Sequence, residues 1–261
     1  MEKHKELETL NMDTVEFNTE FLMMIRPMCQ EKFKRMSLEY DPSDRMDFKC
    51  EKMLLTSLEG VPQYVKGDFS CRDNQLTSLE GAPHTVGGDF DCTLNQLTSL
   101  EGAPQSVVGG FYCSENQLTS LEGVPKSVGG SFSCYNNHLT SLEGAPQSVG
   151  GSFYCDDSHL TTLKGAPKYV DRDFYCTDNH LTSLKGAPHC VGWSFYCGYN
   201  QLTTLEGAPQ YVGKNFYCPN NPRLSDEQIN HYREFLKGQH QECLVDGHYM
   251  PPERLKGNGN A

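Results

Sequence analysis

The sequence has few hydrophobic residues and no long hydrophobic run. Hydrophobic types fill 37% of the 261 positions and the mean hydropathy is -0.58, so a thick conventional core is undersupplied and a thin, regular fold is favoured. No stretch approaches the roughly 18 apolar residues of a membrane-spanning helix. The apolar run at 21–25 is too short and too acid-flanked for a signal peptide. We therefore expect a soluble, cytoplasmic protein of the producing or infected cell.

Basic residues are also scarce. Lysine and arginine total 22 against 34 aspartates and glutamates, which gives a net charge of -12. This balance opposes the positive field that phosphate backbones and anionic lipid surfaces require. Nucleic acid and membrane are therefore not expected as partners.

Cysteine, in contrast, is abundant, and its spacing reveals an internal repeat. Nine of the 12 cysteines fall 21 residues apart, each two residues after a phenylalanine of the same phase. We interpret them as small apolar side chains stacked in a dry core. Parallel side chains on strands about 4.8 Å apart do not point at each other as a disulfide requires, and we expect neither a metal site nor a cofactor. The nine are Cys50, Cys71, Cys92, Cys113, Cys134, Cys155, Cys176, Cys197 and Cys218.

The repeating unit reads N-x-L-T-S-L-E-G-x-P-x-x-V-G-G-x-F-x-C-x-x, and eight such units fill residues 53–220. A period of this length indicates an array whose units bury their cores only by stacking. Phe90 and Cys92 alternate with Asp89 and Asp91, so a short strand should direct Phe and Cys inward. The proline of each unit predicts an extended or turn-like return segment.

These motifs resemble a known family. F-x-C-x-x-N-x-L-x-x-L resembles the leucine-rich repeat L-x-L-x-x-N-x-L, with Phe and Cys replacing two leucines. L-T-S-L-E-G-A-P is similar to the short repeats of bacterial effector proteins and of uncharacterised tailed-bacteriophage proteins. The resemblance implies a leucine-rich repeat solenoid with a parallel β-sheet on the concave face, largely extended or turn-like return segments, and helical caps at both ends. The effector unit is one residue shorter and has proline where this chain has Glu or Lys, as at Glu80, so no curvature is carried over.

An asparagine recurs three residues after most of the in-phase cysteines. Its amide can bond backbone groups left unpaired where each strand bends, so we predict a buried structural ladder. Met53 and Ser158 interrupt it, and we expect local loosening near Ser158. Its members are Asn74, Asn95, Asn116, Asn137, Asn179, Asn200 and Asn221.

The residue between each inward Phe and Cys should face out from the concave sheet. In the last four units it is tyrosine. Stacking on a sheet explains such a run structurally, but exposed tyrosines also form a rigid amphipathic platform of the kind enriched at binding hot spots, which we favour. The chain's only tryptophan lies beside it, between Arg172 and Lys214 of neighbouring units. The candidate partner-binding residues are Tyr154, Tyr175, Trp193, Tyr196, Tyr199, Tyr217, Asp156 and Asp178.

Two other surface patterns have simpler interpretations. Asp68, Asp89 and Asp91, in the N-terminal half, read as an acidic steering surface. His138 and His159, with His180 in the next unit, lie at regular ladder positions that lack the convergence of a metal site, so we interpret them as solvated.

Both ends of the array need caps, since terminal units expose the core edge. We predict an N-terminal helical cap over 1–52, with an apolar stripe at Phe17, Phe21, Met24 and Met28 and with Pro27 ending or kinking its helix. A Met-rich docking helix is the alternative. After the repeats (53–220), the capping box Ser-Asp-Glu-Gln at 225–228 predicts a capping helix within 221–237, and 238–261 should be a flexible tail.

The leading function hypothesis is a non-enzymatic module that binds another protein through the concave sheet; the resemblance implies a bacterial or phage effector acting on a host protein. One alternative is a ubiquitin-ligase-like effector with Cys243 as nucleophile, although Cys-Leu-Val-Asp departs from the C-x-D spacing of those ligases. Another is an ice- or glycan-binding array built on the threonine that recurs from Thr56 to Thr203. The oligomeric state stays open.

Overall fold

The chain folds as a parallel β-solenoid with one helix near each end, as the repeat pattern predicts. The computed structural model describes residues 19–41, 43, 46–238, 243–245 and 248–250. Helix α1 spans Thr19–Glu39 and helix α2 spans Asp226–Gly238. No helix in this part of the chain is long and apolar enough to cross a membrane.

Each coil contributes one two-residue strand to a nine-stranded parallel sheet, which we call the aromatic sheet. Phenylalanine pairs with phenylalanine in register across every neighbouring pair of its strands, as in Phe69↔Phe90. In sheet order the strands are β1 (Phe48–Lys49), β3 (Phe69–Ser70), β5 (Phe90–Asp91), β7 (Phe111–Tyr112), β9 (Phe132–Ser133), β11 (Phe153–Tyr154), β13 (Phe174–Tyr175), β15 (Phe195–Tyr196) and β17 (Phe216–Tyr217).

The return segments form a second parallel sheet, which the sequence analysis did not predict. Proline and the turn residues indicated extended chain, and in-phase coils bring these extended segments within pairing distance, as in Val65↔Val86. The strands of this return sheet are β2 (Tyr64–Val65), β4 (Thr85–Val86), β6 (Ser106–Val107), β8 (Ser127–Val128), β10 (Ser148–Val149), β12 (Tyr169–Val170), β14 (Cys190–Val191) and β16 (Tyr211–Val212). A separate antiparallel hairpin joins β18 (Cys243–Val245) and β19 (His248–Met250).

A narrow core lies between the two sheets. The phenylalanines of the aromatic sheet form one column, with ring centroids of successive coils 5.0–5.9 Å apart. The in-phase cysteines, two leucines per coil and the valines of the return sheet complete it, and most of them are fully buried. Each coil therefore contributes few apolar residues and buries them only against its neighbours, which explains how a chain with so few hydrophobic residues folds.

Glycine permits a tight turn in each coil and, in most coils, a close approach to the coil before. Gly81, with φ of +88°, sits at the third position of a turn in which the Ala82 N–H bonds Leu79 O at 2.9 Å, a conformation that L side chains rarely adopt. At Gly87 a Cβ would lie 2.3 Å from Lys66 O of the preceding coil. Coil-to-coil approach therefore accounts for the first glycine of the Gly-Gly pair.

The predicted asparagine ladder is confirmed. Asn95 Oδ1 accepts from Leu76 N at 3.0 Å, and its Nδ2 donates to Cys71 O and Cys92 O, both at 3.1 Å. The same arrangement recurs at the other asparagines, all of them buried. Each amide thus joins backbone groups of its own coil to those of the coil before, and this joining stabilises the bend.

Ser158 is the defect in this ladder. Its Oγ accepts only a 3.4 Å bond from Asn137 N, and the Leu139 N–H, which an asparagine would bond, has no acceptor among the described residues. We expect Ser158→Asn to raise the free energy of unfolding by about 1–2 kcal/mol, because it adds two or three buried hydrogen bonds. Denaturant unfolding measures this, with the exposed His159→Asn as control. A Ser158→Asn protein no more stable than that control contradicts the role given to the ladder.

A second polar ladder, at the entrance to most strands of the aromatic sheet, was not predicted. Asp68 Oδ1 accepts from Asp89 N at 2.9 Å, and Asp89 Oδ1 accepts from Gly110 N at 2.6 Å. Ser131 and Asp173 do the same in later coils. The interpretation of Asp68 and Asp89 as steering charges was therefore incomplete, because both carboxylates also hold the next coil.

Helices pack against both ends of the core. On α1, Cys29 and Phe33 are buried, and the Phe33 ring meets Phe48 edge-on at 6.2 Å. The prediction that Pro27 could end this helix was wrong: it lies inside α1, and burial of the residues beyond it offsets the one backbone hydrogen bond that proline cannot donate. Of the predicted stripe, Phe17 and the side chains of Phe21 and Met24 lie outside the described residues, and Met28 is partly buried.

At the other end the predicted capping box is present. Ser225 Oγ accepts from Gln228 N at 3.2 Å, and Ser225 N donates to Gln228 Oε1 at 3.0 Å. The Tyr232 ring packs on Phe216 with centroids 4.6 Å apart, and its hydroxyl donates to Pro209 O at 2.6 Å. Helix α2 therefore closes the core beyond the last coil.

Candidate functional site

Four tyrosines on the outer side of the aromatic sheet form one continuous stack, which we call the tyrosine ladder. The ring centroids of Tyr154, Tyr175, Tyr196 and Tyr217 are 4.8, 4.4 and 4.8 Å apart in succession, and successive planes are tilted by 12° or less. Because the ring faces cover one another, the ladder presents phenol rims and hydroxyls, not open aromatic faces. Only its two ends offer a ring face to anything else.

The ladder lies on the side towards which the sheet bends. On the inner side, the phenylalanines of the same four strands have centroids 5.2, 5.3 and 5.7 Å apart. Each outer spacing is shorter than its inner counterpart, which is what a sheet that curves towards the tyrosines produces. The phenol row therefore lines the concave side, as the resemblance implied.

The Tyr175 hydroxyl is a hydrogen-bonding group near the middle of the ladder. Burial, followed by the nearby carboxylate of Asp173, raises the pKa of Tyr175 above its ordinary value of 10.0. This phenol therefore stays protonated at neutral pH, and it can donate as well as accept. Asp173 was not among the predicted site residues, because its position before the phenylalanine gave no signal of an approach to Tyr175.

Asp156 lies at the exit edge of this surface, two residues after Tyr154. Burial raises its pKa from 3.8 to about 6, and repulsion from the carboxylates of Asp157 and Asp178 adds to the rise. Its Oδ1 is buried and accepts no hydrogen bond within the described part of the chain. Asp178 itself is exposed, with φ of +51°. The exit edge therefore combines exposed negative charge with one acceptor that lacks a donor.

Trp193 lies at the opposite, entrance edge, held between two cations. Lys214 Nζ is 3.7 Å from the ring centroid and Arg172 Cζ is 5.2 Å from it. The sequence placed Trp193 between these two residues, and both cations lie over its ring. Trp193 does not join the tyrosine ladder, because no ring among residues 46–238 stacks on it. It contributes a fixed, positively flanked aromatic edge.

Tyr199 stands apart from the other predicted residues. It is 56% exposed and occupies the left-handed region with φ of +52°, while its N–H still bonds Pro219 O at 2.9 Å. Most equivalent positions hold Asp, Asn or Glu. An exposed tyrosine in this conformation costs about 1 kcal/mol, and nothing in its own coil requires it.

The cysteines, whose thiols could act as nucleophiles, belong mostly to the buried core. The nine in-phase cysteines are buried and free, and burial raises the pKa of Cys50 to about 12, so these thiols are poor nucleophiles. Cys190, outside that series, is disulfide-bonded. Cys243 opens β18, and its side chain lies outside the described residues.

The histidines and threonines also show no assembled site. The rings of His138, His159 and His180 are exposed, with centroids 5.6 and 5.8 Å apart. Nowhere in the described chain do three His, Cys, Asp or Glu side chains converge as metal ligands. The hydroxyls of Thr161 and Thr203 donate to a backbone carbonyl of the coil before, at 3.4 and 3.3 Å, so at these two positions the hydroxyl has a structural role.

Comparison with known proteins gives a likeness in structure. No protein-family model matches the sequence, and no curated protein matches it. Among solved structures, the chain is similar to YopM from Yersinia enterocolitica WA-314, at 14% sequence identity and a TM-score of 0.28. The match covers 86% of this chain and 62% of that one, so the chain spans less than two thirds of that protein's length. We draw nothing about function from a likeness at this level.

Proposed function

We propose that this protein is a non-enzymatic binding module whose concave aromatic sheet engages another protein. The observation that supports this most strongly is the tyrosine ladder, a fixed row of four phenol rims on the curved side of a continuous sheet. Tyrosines held in this way bind with little loss of side-chain entropy and offer both apolar contact and hydrogen bonds. Asp156, Asp178, Trp193 and Tyr199 are the proposed flanking contacts.

Charge across the ladder supports a partner with a defined orientation. The entrance edge carries Arg172 and Lys214 around Trp193, and the exit edge carries Asp156 and Asp178. A partner that carries negative charge opposite the entrance edge and positive charge opposite the exit edge would be oriented by these charges. On the resemblance of the repeats, we propose that the setting is an effector acting on a host protein in the cytoplasm.

The test is a double substitution that leaves the stack intact. Replacing the tyrosines by alanine would also remove stacking worth about 0.5–1.5 kcal/mol per pair, so Tyr175→Phe with Tyr196→Phe is the sharper change. We expect capture of the partner to fall at least tenfold while the denaturation midpoint stays unchanged, because only two hydroxyls are lost. The measurement is quantitative mass spectrometry of proteins retained by the full chain from a lysate of the producing or infected cell.

Tyr64→Phe with Tyr211→Phe is the matched control, since it removes two phenol hydroxyls from the return sheet. A partner must be retained by the wild type and by this control and lost from the ladder variant. Equal retention by all three proteins would place the binding surface elsewhere.

A further inference from the structure

The last strand of the aromatic sheet leaves one backbone edge unpaired. Within the sheet, N–H groups donate to the coil that follows: Phe195 N bonds Asn215 O at 2.9 Å, and Cys197 N bonds Tyr217 O at 2.8 Å. By the same geometry, the N–H groups of Phe216 and Cys218 point away from the sheet. No described residue accepts from either. Such an edge is a template for a further strand.

A groove runs along this edge between β17 and α2. Its volume is about 710 Å³, and it is lined by Phe216 and Tyr217 on one side and by Asn230, Arg233 and Lys237 on the other. Helix α2 contacts the solenoid through Tyr232, which packs over the end of the core, and it leaves the groove beside β17 open. The β18–β19 hairpin forms its own sheet and does not pair with β17.

The polar groups of the groove select an acceptor-rich, negatively charged occupant. Phe216, which carries one of the two N–H donors, lines it, and the groove is bordered by Lys214, Arg233 and Lys237, against one carboxylate, Glu234. That carboxylate is paired with Lys237 at 2.7 Å. A local excess of positive charge is unusual on a chain of net charge -12.

The tyrosine ladder ends beside the groove, which favours an occupant with an aromatic side chain as well as negative charge. One face of the Tyr217 ring is stacked on Tyr196, and Tyr217, which is 43% exposed, ends the stack beside the groove. An aromatic side chain at the paired position of an added strand would continue the stack at the same spacing. A second copy of this chain is a poor occupant, because its own first strand is covered by Phe33 of α1 and by Tyr40, which follows that helix.

We propose that this groove binds an extended acidic segment of a partner polypeptide, which adds to β17 as a tenth strand. Two of its carbonyl oxygens, two residues apart, accept from Phe216 N and Cys218 N. An aromatic side chain of the segment stacks on Tyr217, and its carboxylates face Arg233 and Lys237. This site is distinct from the rims of the tyrosine ladder, and the partner is recognised there by strand addition.

The probe is a blocked, fluorescently labelled peptide of about eight residues that alternates glutamate with tyrosine, a length typical of strand-adding ligands. We expect it to bind the full chain, and Arg233→Glu with Lys237→Glu to weaken binding at least tenfold in fluorescence anisotropy. Lys34→Glu with Lys126→Glu reverses two exposed charges elsewhere and should change the affinity less than twofold. Tyr175→Phe with Tyr196→Phe should also leave it unchanged, which separates this site from the proposed function.

Amide hydrogen exchange locates the peptide. The N–H groups of Phe216 and Cys218 should exchange more slowly when it is bound, because they then donate to its carbonyls. The proposal is overturned by an absence of binding, by equal binding to the Arg233→Glu, Lys237→Glu protein, or by binding that leaves those two amides unprotected.

Discussion

Asn116→Ala is expected to lower the free energy of unfolding by about 2–4 kcal/mol. Asn116 Oδ1 accepts from Leu97 N at 3.0 Å, and its Nδ2 donates to Cys92 O and Cys113 O, both at 3.1 Å. Alanine leaves the Leu97 N–H buried without an acceptor and removes one donor from each carbonyl. Orphaning a buried backbone group costs about 1–3 kcal/mol, and the lost bonds add to this.

Denaturant unfolding followed by circular dichroism measures this loss, and hydrogen exchange shows whether it is centred on the coils at 92–118. Gln117→Ala is the control, because Gln117 is exposed and only its backbone N–H bonds the preceding coil, at Leu97 O. A loss no larger than that of the control would mean that the asparagine ladder contributes little to stability.

Asp156→Asn is expected to raise the free energy of unfolding at pH 7 by about 1–3 kcal/mol. Burial raises the pKa of this carboxyl from 3.8 to about 6, and each pKa unit corresponds to about 1.4 kcal/mol, reduced where solvent reaches the group. The folded state therefore favours the protonated acid. Its stabilising contribution is present below about pH 4 and is lost as the pH rises through about 6.

The dependence on pH distinguishes this effect from a simple packing change. The advantage of Asp156→Asn should shrink between pH 7 and pH 4, as the wild-type carboxyl becomes neutral. Asp157→Asn removes the same charge from the neighbouring exposed residue and should show a much smaller, less pH-dependent change. An advantage for Asp156→Asn that is constant with pH would show that the carboxyl is not destabilised by burial.

The predictable part of the fold came from residues that recur in every coil. Phenylalanine two residues before each cysteine set the strand and its inward face, and the asparagine after it set the ladder, because each has one structural solution when coils stack. The return sheet escaped prediction because each of its strands has one recurrent apolar residue, the valine, as at Ser127–Val128. The aromatic sheet was predictable because Phe and Cys, two residues apart, recur together in every coil; only the register between coils makes the return segments a sheet.

The candidate site was predictable in its residues but not in its chemistry. The sequence placed the four tyrosines on one outward lane, but whether their faces or their rims were available depended on ring orientation. Side-chain torsions decide that, and they have no signature in the chain. The open edge at β17 was likewise invisible, because it depends on where α2 docks, between Tyr232 and Phe216.

A solenoid that bonds each coil to its neighbours transmits mechanical tension through its interfaces in series. The interface between the coils of β9 and β11 lacks its asparagine bonds, because Ser158 stands where an asparagine would bond Leu139 N of the coil before, and it is then the weakest link. Stretching the molecule from its two ends would therefore open it first at that interface. The strands β11, β13, β15 and β17, with all four ladder tyrosines and the closing helix α2, would stay together.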